Sequence, residues 1–326
     1  MNYNYVWMAD SGGIYDSING DLSKIEGVTV CSSRYGMISN RLQGIFRILT
    51  SPRTKLIGKL PGKKYWCKKY LQYIDPTKPT CFIFWGLYDF LAEIQLFEYI
   101  KAVNPQNKCV LIFGDNEHVK FSGLKQITKE NYRKFFDLIL TYDKYLASEK
   151  NYLWYPTITV KERDYIRESE PLHDVFFIGK PKDRFSLIIK TYDVLEKEGI
   201  QNCFYLFGVK EKERVQRKGI VYLDKYMPYN QVLYHSINSK CILEITQQNV
   251  KGFTPRITEA VLYDKKLLTN NKIVKEIPFY DDKYIQFFED PKEIDVDFIR
   301  NSKIPDFKYN DEWSPLHFLK ILEENL

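Results

Sequence analysis

Short apolar runs separated by amphipathic stretches recur along the chain; the pattern proceeds, stops, and starts again. In the first half, "YVWMA" (5–9), "VTVC" (28–31), "CFIFW" (81–85), "CVLIF" (109–113) and "FDLILT" (136–141) are each the length of a buried strand and too short for a helix. Between the third and fourth lies "LYDFLAEIQLFEYIKAV", with Leu87, Leu91, Ile94 and Phe97 at helical spacing. Strand, helix, strand at this pitch implies parallel pairing with crossover helices. The pattern restarts with "DVFFIG" (174–179), "CFYLFG" (203–208), "GIVYL" (219–223), "CILEI" (241–245) and "KLLTN" (266–270).

The intervening "NYLWYPTITVKERDYIRESEPLHD" has the prolines and charges of a linker. Two Rossmann-like α/β domains are therefore expected, at 1–160 and 161–312. The last segment, 313–326, reads as an amphipathic helix in which Ser314 caps and Pro315 fits the first turn. A chain of 326 residues exceeds one ordinary core and suits two. Its 44% hydrophobic and 28% charged residues are a globular composition.

Composition removes several function classes. Cys31, Cys67, Cys81, Cys109, Cys203 and Cys241 form no C-x-x-C pair, and most sit in or beside the apolar runs. With no signal-peptide pattern in "MNYNYVWMADSGG", reduced thiols in a cytoplasmic protein are expected. His118, His173, His235 and His317 have no second ligand at metal-site spacing. No apolar stretch reaches the 18 or so residues of a spanning helix. A soluble or peripheral protein is expected.

The net charge of +6 is unevenly placed. Val28 to Ile74 holds ten basic residues and no acid, so the remainder carries −4. Within it, Lys59, Lys63, Lys64, Trp66, Lys68 and Lys69 interleave lysines with aliphatic and aromatic side chains in "KLIGKLPGKKYWCKKYLQY". Such a patch suits an anionic membrane surface, with ammonium groups at headgroups and rings in the interface; a solvated basic face is the alternative. Phosphates of nucleic acid would attract the same lysines, but no helix-turn-helix, zinc finger or RNP-like motif accompanies them, so nucleic acid is not an expected partner.

Two stretches carry the chemistry. In "FFIGKPKDRFSLIIKTYDVLEKEGI" a strand ends at Gly179, a polar loop follows, and a helix starts near Asp183. Free N–H groups and the helix dipole favour an anion there, and Lys180 and Arg184 add full charges, Arg184 in a fork that matches phosphate oxygens. The blander reading makes both basic side chains solvent-facing and Asp183 a cap. In "KGFTPRITEAVLYDKKLLTNN" (251–271), Thr254 can cap a helix with Pro255 in its first turn, and Gly252 admits close approach to a ligand. Glu259 lies one turn on, where a carboxylate could accept both ribose hydroxyls or merely stabilise the helix start.

Together these stretches resemble the nucleotide-sugar-binding domain of GT-B glycosyltransferases, especially those of bacterial lipopolysaccharide and capsule synthesis. In many of them a strand ends in Gly-Arg, a Lys follows, and a segment like "EGFGLPPLEAMACGKPVI" comes later. "IGKPKDR" places Lys180 and Arg184 at the two basic positions, and Glu259 falls at the second glutamate, which in the family binds ribose. The resemblance spans roughly residues 174–271. It departs at Lys251, which stands where retaining enzymes carry the first glutamate. Retaining stereochemistry is therefore not carried over.

The resemblance implies a GT-B pair of domains facing across a cleft, with the last helix returning to the first domain. It implies a nucleotide-sugar donor, with UDP expected, and no cofactor. Thr254, Arg256 and Thr258 would contact donor phosphates or sugar hydroxyls, and Gly208 falls where the base is commonly lodged. "YDDKY" (280–284) has the look of an acidic metal motif, yet the family generally uses basic residues and helix dipoles at the leaving group, so no metal is assigned. Gly12 and Gly13 resemble the glycine loop that meets the donor diphosphate. For an inverting transfer, Asp10 and Asp115 are the leading candidates for the base that takes the acceptor proton, with Glu117 and His118 nearby. The implied activity is transfer of a hexose to a growing surface glycan or lipid-linked acceptor at the inner face of the plasma membrane. The rivals are another nucleotide-sugar enzyme on the same fold, such as an epimerase, and a non-catalytic basic protein that holds nucleic acid or anionic lipid.

Overall fold

The computed structural model of the chain describes residues 1–9, 12–31, 45, 72–75, 77–85, 94–113, 132–247 and 252–326. Two compact units emerge: Met1–Val160 with Trp313–Leu326, and Lys161–Glu312.

In the first unit a six-stranded, all-parallel sheet runs in the order β2-β1-β3-β4-β5-β6. The strands are β1 (Asn4–Ala9), β2 (Val28–Cys31), β3 (Thr80–Trp85), β4 (Lys108–Phe113), β5 (Leu138–Thr141) and β6 (Leu153–Trp154). Helices α1 (Ile14–Leu22), α2 (Ile94–Val103) and α3 (Lys144–Lys150) alternate with them. The runs are continuous because both faces are covered. Val6, Met8, Phe82 and Phe84 enter one core; Tyr5, Trp7, Cys81 and Ile83 enter the other. This is the two-residue period of a strand between two apolar layers.

The second unit holds a sheet of order β12-β11-β10-β7-β8-β9, again parallel throughout. Its strands are β7 (His173–Gly179), β8 (Asn202–Phe207), β9 (Ile220–Leu223), β10 (Ser239–Glu244), β11 (Lys266–Thr269) and β12 (Ile285–Phe287). Helices α4 (Phe185–Lys197), α5 (Tyr229–Ile237), α6 (Pro255–Leu262) and α7 (Val296–Arg300) connect or flank them. The chain enters at β7, builds outward to β9, then returns across β7 to β10. That reversal is the doubly wound order, and its switch point lies between β7 and β10.

The last helix, α8 (Pro315–Asn325), is capped by Ser314, whose Oγ accepts from the His317 N–H at 3.2 Å. Its Phe318, Leu319 and Leu322 are fully buried in the first unit's core. Phe318 meets Trp7 edge-on at 5.9 Å and Tyr155 at 5.0 Å.

Each apolar run marked from the sequence is a strand. Two strands escape that reading. β6 lies inside the stretch taken as linker, and β12 follows the acidic "YDDKY" turn. Both are two or three residues long, too short to show a period. Among the described residues, no helix is long and apolar enough to cross a membrane, and five of the cysteines are buried free thiols.

Candidate functional site

The carboxyl ends of β7 and β10 meet at a pocket of about 230 Å³, lined among others by Phe177, Arg184, Glu244, Thr246, Thr254 and Arg256. Its position follows from topology: at a switch point neighbouring loops depart to opposite faces and leave a crevice. Arg184 closes one wall. A 3₁₀ turn, Lys182–Arg184, follows β7 and precedes α4, so the α-helix starts at Phe185 rather than at Asp183. The guanidinium donates from Nη1 to the Ile245 carbonyl and from Nη2 to the Lys180 carbonyl at 3.2 Å. One side chain thus bridges the loops after β7 and β10. Burial lowers its pKa, opposed by the charges of Asp183 and Glu244.

The glycines at the strand ends leave room for these cations. A Cβ on Gly179 would lie 3.1 Å from Arg184 Nη2, and one on Gly208 would lie 3.1 Å from Lys180 Cε. Gly208 also has φ +74°, a left-handed backbone that favours glycine. The stem of Lys180 therefore lies along the loop that follows β8. Beside it, Phe207 and Tyr226 pack at 4.1 Å, with Tyr226 74% exposed.

The opposite wall is the start of α6. Thr254 is its N-cap, accepting from the Arg256 N–H at 3.2 Å, and Pro255 opens the first turn. The Thr254 hydroxyl donates to Glu244 Oε1 at 2.5 Å. Glu244 also receives Thr269 Oγ1 at 2.5 Å and Asn271 Nδ2 at 3.4 Å. Burial pushes its pKa up, and these three hydrogen bonds pull it back. Asn271 Nδ2 further donates to the Gly252 carbonyl, and Asn270 Oδ1 accepts from the N–H and hydroxyl of Thr246. The polar end of "KKLLTNN" is therefore the scaffold of the pocket's far wall. Sequence reasoning missed Glu244; an acid at the end of the apolar run "CILEI" was its signal.

Two expected donor contacts face elsewhere. Thr258 is buried and its hydroxyl donates to the Pro255 carbonyl at 3.0 Å, within its own helix. Glu259 is 1% exposed and does not line the pocket. Its Oε2 lies 2.7 Å from Arg256 Nη1 and accepts from Ser236 Oγ at 2.8 Å. Burial raises its pKa while the Arg256 charge opposes the rise. Glu259 thus orients a pocket cation in place of presenting a carboxylate to the pocket.

Gly12 and Gly13 belong to the first unit, after β1, which borders that sheet's own switch point between β1 and β3. Their φ values of 98° and 60° are left-handed, and nothing lies within 4 Å of an added Cβ at either. The Gly12 N–H donates to Asp16 Oδ1 at 2.8 Å. Asp10, Asp115, Lys251 and the patch residues Lys59, Lys63, Lys64, Trp66, Lys68 and Lys69 lie outside the described residues. Among the described residues, no group of three His, Cys, Asp or Glu is arranged to hold a metal.

No protein-family model matches the chain, and no curated protein sequence does. Solved structures do. Anabaena HepE, in complex with UDP and glucose, is 10% identical, covering 91% of this chain and 89% of its own with a TM-score of 0.53. A putative UDP-N-acetylglucosamine 2-epimerase from Listeria monocytogenes is 9% identical, covering 92% and 88% with a TM-score of 0.50. The glycotransferase of kitacinnamycin covers 99% of both chains at 8% identity and a TM-score of 0.49. At these identities the likeness is one of fold. The protein has the α/β fold of the GT-B type, built from two Rossmann-like domains.

Proposed function

We propose that the second domain binds a UDP-sugar and that the chain is a glycosyltransferase. One observation carries this: at the switch point of the second sheet, Arg184 ties the loop after β7 to the loop after β10, beside Lys180 and opposite the capped start of α6. A diphosphate placed there would meet the Arg184 guanidinium and the positive end of a helix dipole, which compensate the charge of a departing nucleotide, with Lys180 at the neighbouring loop after β8. Arg256, held by Glu259, adds a second guanidinium to the same pocket. The exposed Tyr226 ring beside Gly208 offers a face on which a base can stack. UDP is the favoured nucleotide because HepE was solved with UDP and the Listeria protein is named for a UDP-sugar. The acceptor class, a growing bacterial surface glycan or lipid-linked saccharide at a membrane face, rests on the family resemblance and on the basic, aromatic segment 34–70.

The test is calorimetric titration of the whole chain with UDP and UDP-glucose. Arg184→Ala should weaken UDP binding at least tenfold with the circular dichroism spectrum retained. Equal affinity in the variant would overturn the site. Transfer is then read as UDP release that depends on added acceptor. The second reading, an epimerase, is favoured by the Listeria likeness; it predicts interconversion of UDP-N-acetylglucosamine without any acceptor.

A further inference from the structure

At the amino-terminal edge of the second sheet, opposite the donor pocket, a cavity of about 380 Å³ opens between the starts of β10 and β11 and the segments 167–171 and 300–305. A strand of six residues separates the two sites by roughly 15–20 Å. Six lining side chains are cationic, and their partners differ. Lys240 is neutralised by Asp174 at 2.8 Å, and Arg300 faces Asp297 at 3.4 Å and Glu198 at 4.0 Å. Lys266 is saturated by the Phe298 carbonyl and by two oxygens of Asn301. Lys303 lies over the Tyr284 ring at 5.4 Å.

Lys265 and Arg167 act on one another. Among the described residues no carboxylate pairs with either, nor with Lys266 or Lys303, but the charge of Arg167 is felt at Lys265. The exposed Arg167 donates, among the described residues, only to the Tyr263 carbonyl, at 3.2 Å, and lies beside the Tyr165 ring. Lys265 is half-buried, and among the described residues its ammonium has no hydrogen-bond partner; its backbone N–H closes α6 on the Ala260 carbonyl after the left-handed Asp264. The acids on the lining do not serve these two cations. Glu168 accepts from the Tyr234 hydroxyl at 2.6 Å, Asp264 accepts from the Phe307 N–H at 3.1 Å, and Glu170 is exposed.

We propose that this cavity is an anion site for a phosphate or diphosphate group, with Lys265 and Arg167 as its charged contacts. Two cations drawn together without a counter-ion cost free energy that a bound dianion returns, through three donors on an ammonium and a planar guanidinium fork. Burial, and then the charge of Arg167, push the Lys265 pKa down to about 8, and a bound dianion would raise it again. Ile237, Pro171 and Ile304 flank the cations with apolar surface, so a phosphate ester with an organic portion suits the cavity.

The experiment is trace acetylation of the whole chain at pH 8 with mass-spectrometric quantification, with exposed Lys197 as the internal control. Inorganic phosphate and pyrophosphate are the probes, and sodium chloride of equal ionic strength is the reference. Labelling of Lys265 should fall at least fivefold with either phosphate probe, with Lys197 unchanged. Protection should persist in Arg184→Ala, which separates this cavity from the donor pocket, and should be lost in Arg167→Gln. Unchanged labelling of Lys265 at about 50 mM probe, well above a millimolar dissociation constant, overturns the site. So does protection that sodium chloride reproduces, or protection that disappears in Arg184→Ala.

Discussion

Glu244 shows how much of the pocket hangs on one buried acid. Its carboxylate is 2% exposed and joins the cap of α6, the end of β11 and the Asn271 turn. Thr254 is the outermost of those ties and serves twice, as N-cap and as donor to Glu244. Thr254→Ala should cost about 1–2 kcal/mol in urea denaturation, the upper part of the range for a lost cap, because a buried carboxylate oxygen also loses its hydroxyl. Thr254→Ser should recover most of it. A second residue-scale effect concerns His173 and His235, whose rings stack at 5.6 Å in a cluster with Phe176 and Tyr205. Burial lowers both pKa values; Asp174 pulls His173 back, and the charge of His173 lowers His235 further. The unfolded chain therefore takes up protons first as pH falls through the ordinary histidine value near 6.5. Stability is fully present above that value and declines below it, until the folded rings are protonated too. His235→Phe keeps a ring in the stack and should flatten the fall in urea midpoint between pH 7.5 and 5.5. An identical fall in parent and variant would assign it to other groups.

Elements were legible where burial was complete. The central strands read as unbroken apolar runs because helices cover both sheet faces, and Thr254 and Pro255 announced α6 because capping is local chemistry. What failed to show was set by tertiary pairing. β6 and β12 owe their strand conformation to the neighbours beside which they lie, and the 3₁₀ turn at 182–184 ends in Arg184, whose partner Ile245 lies 61 residues away in sequence. The inward turn of Glu259 likewise depends on Ser236, 23 residues away in sequence and on another helix. Gly219 belongs to the same group. A Cβ there would lie 2.3 Å from the Asn202 carbonyl oxygen and 3.0 Å from the Tyr192 hydroxyl. Its own carbonyl accepts from the Phe204 N–H at 2.8 Å, which sets the register of β9 on β8. Backbone cannot swing aside as a side chain does. Gly219→Ala should therefore destabilise the second domain by about 1–3 kcal/mol, the range for overpacking, and speed amide exchange in β9 before β7.

At the scale of the whole molecule, the chain crosses from the first unit to the second after Val160 and returns at Trp313, so the first domain is completed only by the last residues of the chain. Phe318 fills the space between Trp7 and Tyr155, and its loss leaves a cavity that the surrounding strands cannot close. The placement of tryptophan makes the consequence measurable. Trp7, Trp85, Trp154 and Trp313 fall in the first unit, the remaining Trp66 lies outside the described residues, and residues 161–312 contain none. Tryptophan fluorescence thus follows the unfolding of one domain, while far-ultraviolet circular dichroism follows both. Phe318→Ala should remove about 3–5 kcal/mol from the first domain, lowering the fluorescence-detected midpoint by roughly 6–20 °C. The circular dichroism transition should then split, its upper half staying at the parental temperature and still rising with UDP, since ligand stabilises the domain that binds it. A single transition that falls as one by both probes would mean the two domains unfold as a unit, and the separate cores would then not be separately stable.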